Sequence, residues 1–265
     1  MSFPHGFKAV FRVVEWDLMK LKRQKAFIAM RTAWFIIQSL VFGYAISRIA
    51  RPDIGVDYYK FYLLGLYTAL LYSASIARAY IIADEFDDGI IDYHLSLPLK
   101  RSVLAAGRVI GGAVSTIIFT APMMVFILYL ANGLDPVSFL ISITSAFAFS
   151  IGVVSFVVII VMKLRSTDTT DIFFGTIDAI LVRLSSVFYP LPIIKALNIP
   201  AYYYSALFNP LTHFADFLRA LVLPEYFLLG LSPAQSMFYI LGLGIGLLVV
   251  AIELFERKLE AGGVK

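Results

Sequence analysis

Few residues in this chain can do chemistry, because few are charged. Asp178 and Arg183 stand in the run 171–190, which is mainly apolar after Asp171 and long enough to cross a membrane. An ionised group in hydrocarbon is costly, so such a residue points to a translocation path or to a structural ion pair. Arg183 lies seven residues from the far end of the run, ~10 Å of helical rise, within snorkelling reach of the interface. The structural pairing would be of these two with each other or with Asp216. The functional alternative is that they line a path. A second concentration is acidic: Asp84-Glu85-Phe86-Asp87-Asp88 and Asp168-Thr169-Thr170-Asp171. Other chemistries lack their residues. There is no cysteine, hence no thiolate metal site, disulfide or Cys nucleophile. No Gly-x-x-x-x-Gly-Lys-Ser/Thr phosphate loop, Gly-x-Ser-x-Gly elbow or His-Glu-x-x-His pair occurs.

The elements that must hold these residues are membrane helices. Of 265 residues, 60% are hydrophobic and only 15% charged, against about 25% charged in a soluble domain. Mean hydropathy is +0.84. A crossing takes about 20 apolar residues. Six runs qualify: 31–50, 60–82, 103–131, 137–162, 171–190 and 233–254. Arg51-Pro52-Asp53-Ile54-Gly55 and Asn132-Gly133-Leu134-Asp135-Pro136 are turns between spans. The fold class expected is an all-α, six-span membrane protein, a single domain over 1–265. Of the 22 Lys and Arg, sixteen fall on the side of the N-terminus, among them Lys20, Lys22, Arg23, Lys25, Lys100, Arg101 and Arg108. By the positive-inside rule both termini are cytoplasmic. The basic residues orient the protein, so the pI near 9.1 is no sign of nucleic-acid binding.

Three segments interrupt the spans. Residues 1–30 carry Phe7, Val10, Phe11, Val14, Leu18 and Leu21 at helical steps, with Lys8, Arg12, Glu15 and Lys22 opposite. That is an amphipathic helix lying in the inner headgroup region, or packed on the protein. Residues 83–102 form an inner loop. Its acidic start suits a helix N-terminus, and Pro98 ends the element. Residues 188–232 form an outer segment. Pro190, Pro192, Pro200, Pro210 and Pro224 break it, although it is aromatic and apolar. It is expected to be a re-entrant hairpin and not a seventh span.

This order of features resembles the membrane subunit of type-2 ABC exporters. The resemblance is carried by three things: the basic N-terminal helix before six spans, the acidic-Gly-apolar inner helix closed by Leu97-Pro98-Leu99-Lys100-Arg101 and Gly107-Arg108, and Phe188-Tyr189-Pro190 running on to Asn209-Pro210-Leu211-Thr212 and Arg219-Ala220. Many members open the inner helix with an Arg-Glu pair; this chain has the more acidic Asp84–Asp88 stretch. The resemblance implies a multi-pass permease of the cell membrane that is not itself an enzyme. It has no cofactor or metal of its own, and ATP and Mg²⁺ belong to a separate ATP-binding subunit present in two copies. A second permease copy, identical or not, would complete the dimer. Residues 85–97 would be a coupling helix seated on that ATPase, with Glu85, Asp88, Gly89, Ile90, Ile91, Tyr93, His94, Leu95 and Pro98 as its contact residues. Tyr189, Pro190, Asn209, Pro210 and Arg219 would belong to an outer gate.

Two rivals come from other classes. The two aspartate clusters could hold Mg²⁺ and a diphosphate, as in membrane prenyltransferases, though carboxylates beside a membrane are commonly solvated caps. A passive channel would use the proline-broken segment as a pore loop, yet no filter pattern is present in it. Gly107, Gly111 and Gly112, and Gly242, Gly244 and Gly246, allow close helix approach, within one subunit or at a dimer seam.

Overall fold

A computed structural model describes residues 3–23, 25–49, 55, 57–96, 100–164, 166–228 and 230–260. The described chain is helical, without strands. In order, the elements are α1 (Phe3–Arg23), α2 (Lys25–Ile37), a π-helical turn (Gln38–Phe42), α3 (Gly43–Ile49), α4 (Tyr58–Asp87), α5 (Ile90–Ser96), α6 (Arg101–Leu130), α7 (Pro136–Leu164), α8 (Thr167–Arg183), α9 (Leu191–Ala196), α10 (Pro200–Leu207), α11 (Pro210–Val222), a 3₁₀ turn (Pro224–Leu228) and α12 (Pro233–Glu260). Among the described residues five stretches are long and apolar enough to cross a bilayer: Ile28–Ile49, Tyr58–Glu85, Arg101–Leu130, Pro136–Leu164 and Pro233–Arg257. The fifth expected run differs. Its helix, α8, starts at Thr167 and stops at Arg183, not at 190. Its 17 residues rise ~25 Å, short of the ~30 Å hydrocarbon thickness. The chain from 184 to 190 is irregular because other groups claim its carbonyls, as described below.

α4, α6 and α7 form the centre, and their facing side chains are buried. Inside a bilayer lipid is as apolar as leucine, so small residues and close backbone approach drive helix association. Gly152 of α7 meets Gly244 of α12 this way. A Cβ on Gly152 would stand 3.2 Å from the Gly244 Cα. Gly107 and Gly111 of α6 face α1 of the same chain. A Cβ there would lie 2.8 Å from Val13 Cβ and 2.4 Å from Asp17 Oδ2 respectively. These four glycines therefore serve packing within the subunit, whereas a Cβ on Gly242 or Gly246 would meet nothing within 4 Å.

α1 packs one face on the body and leaves the other open. Val13, Val14, Asp17 and Leu21 are buried against the body, while Phe11 and Met19 stay exposed. At the opposite end of the bundle, prolines begin the short helices. Pro200 and Pro210 occupy the first positions of α10 and α11, and Pro192 the second of α9, where a missing N–H costs nothing. The expected hairpin is thus three short helices. α11 is wholly packed, with Leu211 to Arg219 buried. Of the expected turns, Asn132 takes φ +59°, and Asp135 caps α7 by accepting from Val137 and Ser138 N–H. Arg51–Ile54 lie outside the described residues.

Candidate functional site

Two buried arginines anchor the two ends of the bundle. At the end bearing α1, here termed proximal, Arg108 of α6 is 4% exposed. Its Nη1 donates to Asp17 Oδ1 of α1 at 3.0 Å. Its Nη2 donates to Glu85 Oε2 at the foot of α4 and lies 3.0 Å from His94 Nδ1 on α5. Lys20 of α1 pairs with the other Glu85 oxygen. The Trp16 and His94 rings stack at 5.2 Å. Four helices thus meet at one guanidinium. A cationic guanidinium can only donate, so His94 accepts at Nδ1 as the neutral ring. Burial, and then the Arg108 charge, hold the His94 pKa below its usual value.

This geometry redraws the inner helix. Residues 85–97 are not one rod. α4 continues through Asp87, the chain turns at Asp88-Gly89 with Gly89 at φ +68°, and α5 adds seven residues. Of the expected docking residues, Glu85 and His94 face inward onto Arg108 and are buried. The Glu85 carboxylate and the His94 Nδ1 are engaged within the chain. Asp88, Gly89, Ile90 and Tyr93 are exposed, Tyr93 by 65%. Pro98 and the side chains of Ile91 and Leu95 lie outside the described residues. The acidic clusters are placed too. Asp87 accepts from the Thr167 N–H and hydroxyl at the start of α8, and Asp84 accepts from the same hydroxyl. A carboxylate there complements the helix N-terminus. Among the described residues no group of three or more acidic or His side chains could hold a metal.

At the distal end Arg219 of α11 is fully buried beside Asp216, one turn earlier and equally buried. Its Nη1 donates to Asp216 Oδ1 at 3.1 Å and to the Ser186 carbonyl at 3.0 Å. Its Nη2 donates to the Val187 carbonyl at 2.6 Å and to that of Phe61 at 3.3 Å. The guanidinium carbon sits 3.5 Å above the Phe61 ring centroid. Asp216 also accepts from Tyr226 Oη, Ser186 Oγ and the Leu231 N–H. This is why the chain after α8 needs no helix: Arg219 satisfies its carbonyls. Gly65 makes room, since a Cβ there would lie 1.9 Å from the Val187 oxygen and 2.7 Å from Arg219 Nη2. Asn209 caps α11, accepting from Leu211 N–H, and donates to the Leu181 carbonyl. Pro190 is buried as the cap of α9, and Tyr189 is 55% exposed.

Asp178 and Arg183 are not an ion pair, and Asp216 is taken by Arg219. Both instead line a cavity of about 670 Å³ whose floor is α4. Arg31, Trp34 and Gln38 wall one side; Asp178, Val182, Arg183 and Tyr189 wall the other. Gln38, in the π-helical turn, is tied to the floor through Tyr62 Oη at 3.2 Å. Asp178 Oδ1 is buried and has no hydrogen-bond partner.

A helical bundle with a charged cavity, a clamped proximal elbow and a strutted distal hairpin suits a transport path more than a catalytic centre. The family model of the ABC-2 type transporter matches residues 8–223. The chain belongs to that family. It is a multi-pass membrane permease, a component of an ABC transporter. No curated protein matches it. Permeases of this family generally dimerise and work with an ATP-binding subunit. The match covers α1 from Lys8, the Arg108 cluster, the Asp216–Arg219 pair and the cavity.

Glu85 had been legible in the permease's sequence, but not its partners. Arg108, Asp17 and Lys20 carry no docking signature. The only hint was the glycine pair Gly107 and Gly111 beside Arg108, with spacing that lets another helix come close. Gly65 was likewise hidden as an ordinary member of an apolar helix, and Asp216, considered as a partner for Asp178 or Arg183, pairs with Arg219 instead.

Proposed function

We propose that this permease is the membrane half of an ATP-driven exporter of the cell membrane, working as a dimer with two copies of an ATP-hydrolysing subunit. ATP and Mg²⁺ belong to those subunits, and this chain contributes no catalysis. The proximal end faces the cytoplasm, in agreement with its excess of Lys and Arg. The single observation that carries the reading is the Arg108 cluster. Force applied to the exposed side of the Asp88–Tyr93 elbow must pass to something stiff. Glu85 and His94 flank that elbow, and both are held by Arg108 on α6, while Asp17 and Lys20 bind α1 to the same point. A push on α5 therefore displaces α1, α4 and α6 together as a rigid body, which is how packed elements transmit motion. The exposed Asp88, Ile90 and Tyr93 form the docking face.

The cavity at Asp178 lies on the path, and the distal hairpin containing Tyr189, Pro190, Asn209, Pro210 and Arg219 closes it outward. The test is co-purification from the native host. A stoichiometric ATPase should accompany the permease, and Tyr93→Ala together with Ile90→Asp should release it while permease abundance holds. Recovery of the permease without any ATPase, or retention of the ATPase by the double variant, would count against the reading. Asp178→Asn should abolish export at unchanged abundance; a loss of abundance instead would make Asp178 structural.

A further inference from the structure

The cavity holds opposite charges across a void. Asp178 Oδ1 is buried without a donor, and the Arg183 and Arg31 guanidiniums act on that carboxylate through space. Arg183 shares the cavity wall with Asp178 but forms no ion pair with it. An occupant with one kind of charge fits poorly. A simple anion would pair with Arg183 but would lie against the Asp178 carboxylate and leave its oxygen without a donor, an expensive state for a buried acceptor. A simple cation would satisfy Asp178 but would meet two guanidiniums. A head that carries an acid and an amine together answers both. The remaining wall is apolar, with Leu66, Leu70 and Val182. Trp34 is 51% exposed, so the cavity reaches the outer surface of the bundle.

We propose that this cavity binds a zwitterionic amphiphile, its phosphate or carboxylate toward the Arg183 guanidinium, its ammonium donating to Asp178 Oδ1, and its hydrocarbon chain along Leu66, Leu70 and Val182. The inference deepens the exporter reading by naming a class of occupant for its path. Binding itself needs no ATPase.

The test uses full-length permease in an uncharged maltoside detergent. Trp16→Phe leaves Trp34 as the sole tryptophan, so its fluorescence reports the cavity. Four probes are titrated: lysophosphatidylethanolamine, lysophosphatidic acid (acid and tail), dodecyltrimethylammonium (cation and tail) and glycerophosphoethanolamine (head without tail). Lysophosphatidylethanolamine should give a saturable change and bind tightest. Its Kd should rise ~10-fold on Asp178→Asn and on Arg183→Gln, the loss of one charge-assisted contact each, with Asp178→Glu retaining binding and so reporting a folded cavity. Equal binding of either singly charged probe, equal binding of the head without a tail, or indifference to both substitutions would overturn the proposal. So would the absence of a saturable Trp34 response. A negative result here leaves the exporter reading standing, and failure to recover an ATPase partner leaves the binding result standing.

Discussion

Arg108 and Arg219 are both buried cations paired with buried carboxylates, yet they are wired differently. Arg219 takes its carboxylate from its own helix three residues away and spends its other donors on the carbonyls of Phe61, Ser186 and Val187. It substitutes for helical hydrogen bonds along a stretch that has no helix. Arg108 bonds to side chains on three other helices, with Asp17 91 positions away and Glu85 23 positions away. Its Nε is buried without a partner, and one member of its network, the Lys20 side chain, is 40% exposed. A backbone strut has one satisfied arrangement. A junction of side chains ties separate helices to one another without replacing any backbone hydrogen bond. The distal cluster therefore fixes the course of the chain, and the proximal cluster locks α1, α4, α5 and α6 together.

The sharpest way to break this comparison is at Arg219. Arg219→Met leaves Asp216 and three carbonyls without their donor, and removing one partner of a buried pair costs about 3–5 kcal/mol. Thermal unfolding in detergent should show a large loss. Adding Asp216→Leu should not restore it, because the carbonyls remain unserved. Full recovery by the double variant would mean that Arg219 is only an ion-pair partner.

Gly65→Ala attacks the same strut from outside. Its Cβ would overlap the Val187 oxygen, and overpacking of this kind costs about 1–3 kcal/mol. Abundance and melting temperature should both fall. Gly175→Ala, where a Cβ meets nothing within 4 Å, is the control.

The proximal junction should behave otherwise. In Arg108→Met combined with Asp17→Asn and Glu85→Gln, the charges go together, which replaces a buried network near-neutrally. Melting temperature should stay close to that of the parent, while ATP-driven export fails and the ATPase runs uncoupled. Retained export in this variant would break the junction model.

A smaller effect is pH dependence. His94 is held neutral in the folded protein, so its folded pKa lies below the ~6.5 of an exposed ring. The unfolded chain then takes up the proton first. Stability is full above pH ~6.5 and declines as the pH falls below it. Melting temperature measured from pH 8 to pH 5 should drop on the acid side, and His94→Gln should flatten that drop. An unchanged profile would show that the ring does not report on the Arg108 junction.

The smallest change expected is Asn209→Ala. It removes the α11 cap and a donor to the Leu181 carbonyl, and caps contribute about 0.5–2 kcal/mol. A loss as large as that of Arg219→Met would move the weight of the distal end from the guanidinium to the cap.

The amino-acid sequence by itself determined the class of this protein. Apolar runs of helical length, turns rich in Gly, Pro and Asn, and prolines that break a span are local signals, and each was readable where it stood. The inner loop and the aromatic hairpin were legible for the same reason. What tertiary structure decided is which charges meet. Asp17 and Arg108 are far apart along the chain, and only the crossing of α1 over Gly107 and Gly111 brings them together. Glu85 and His94 stand among the docking residues that the family resemblance implies; folding turned them inward onto Arg108. Asp178 and Arg183 read as a pair because they share a helix, but five residues separate them by about 140° around its axis, so they wall a cavity without touching. Helices follow from neighbours along the chain, and sites follow from where whole helices cross.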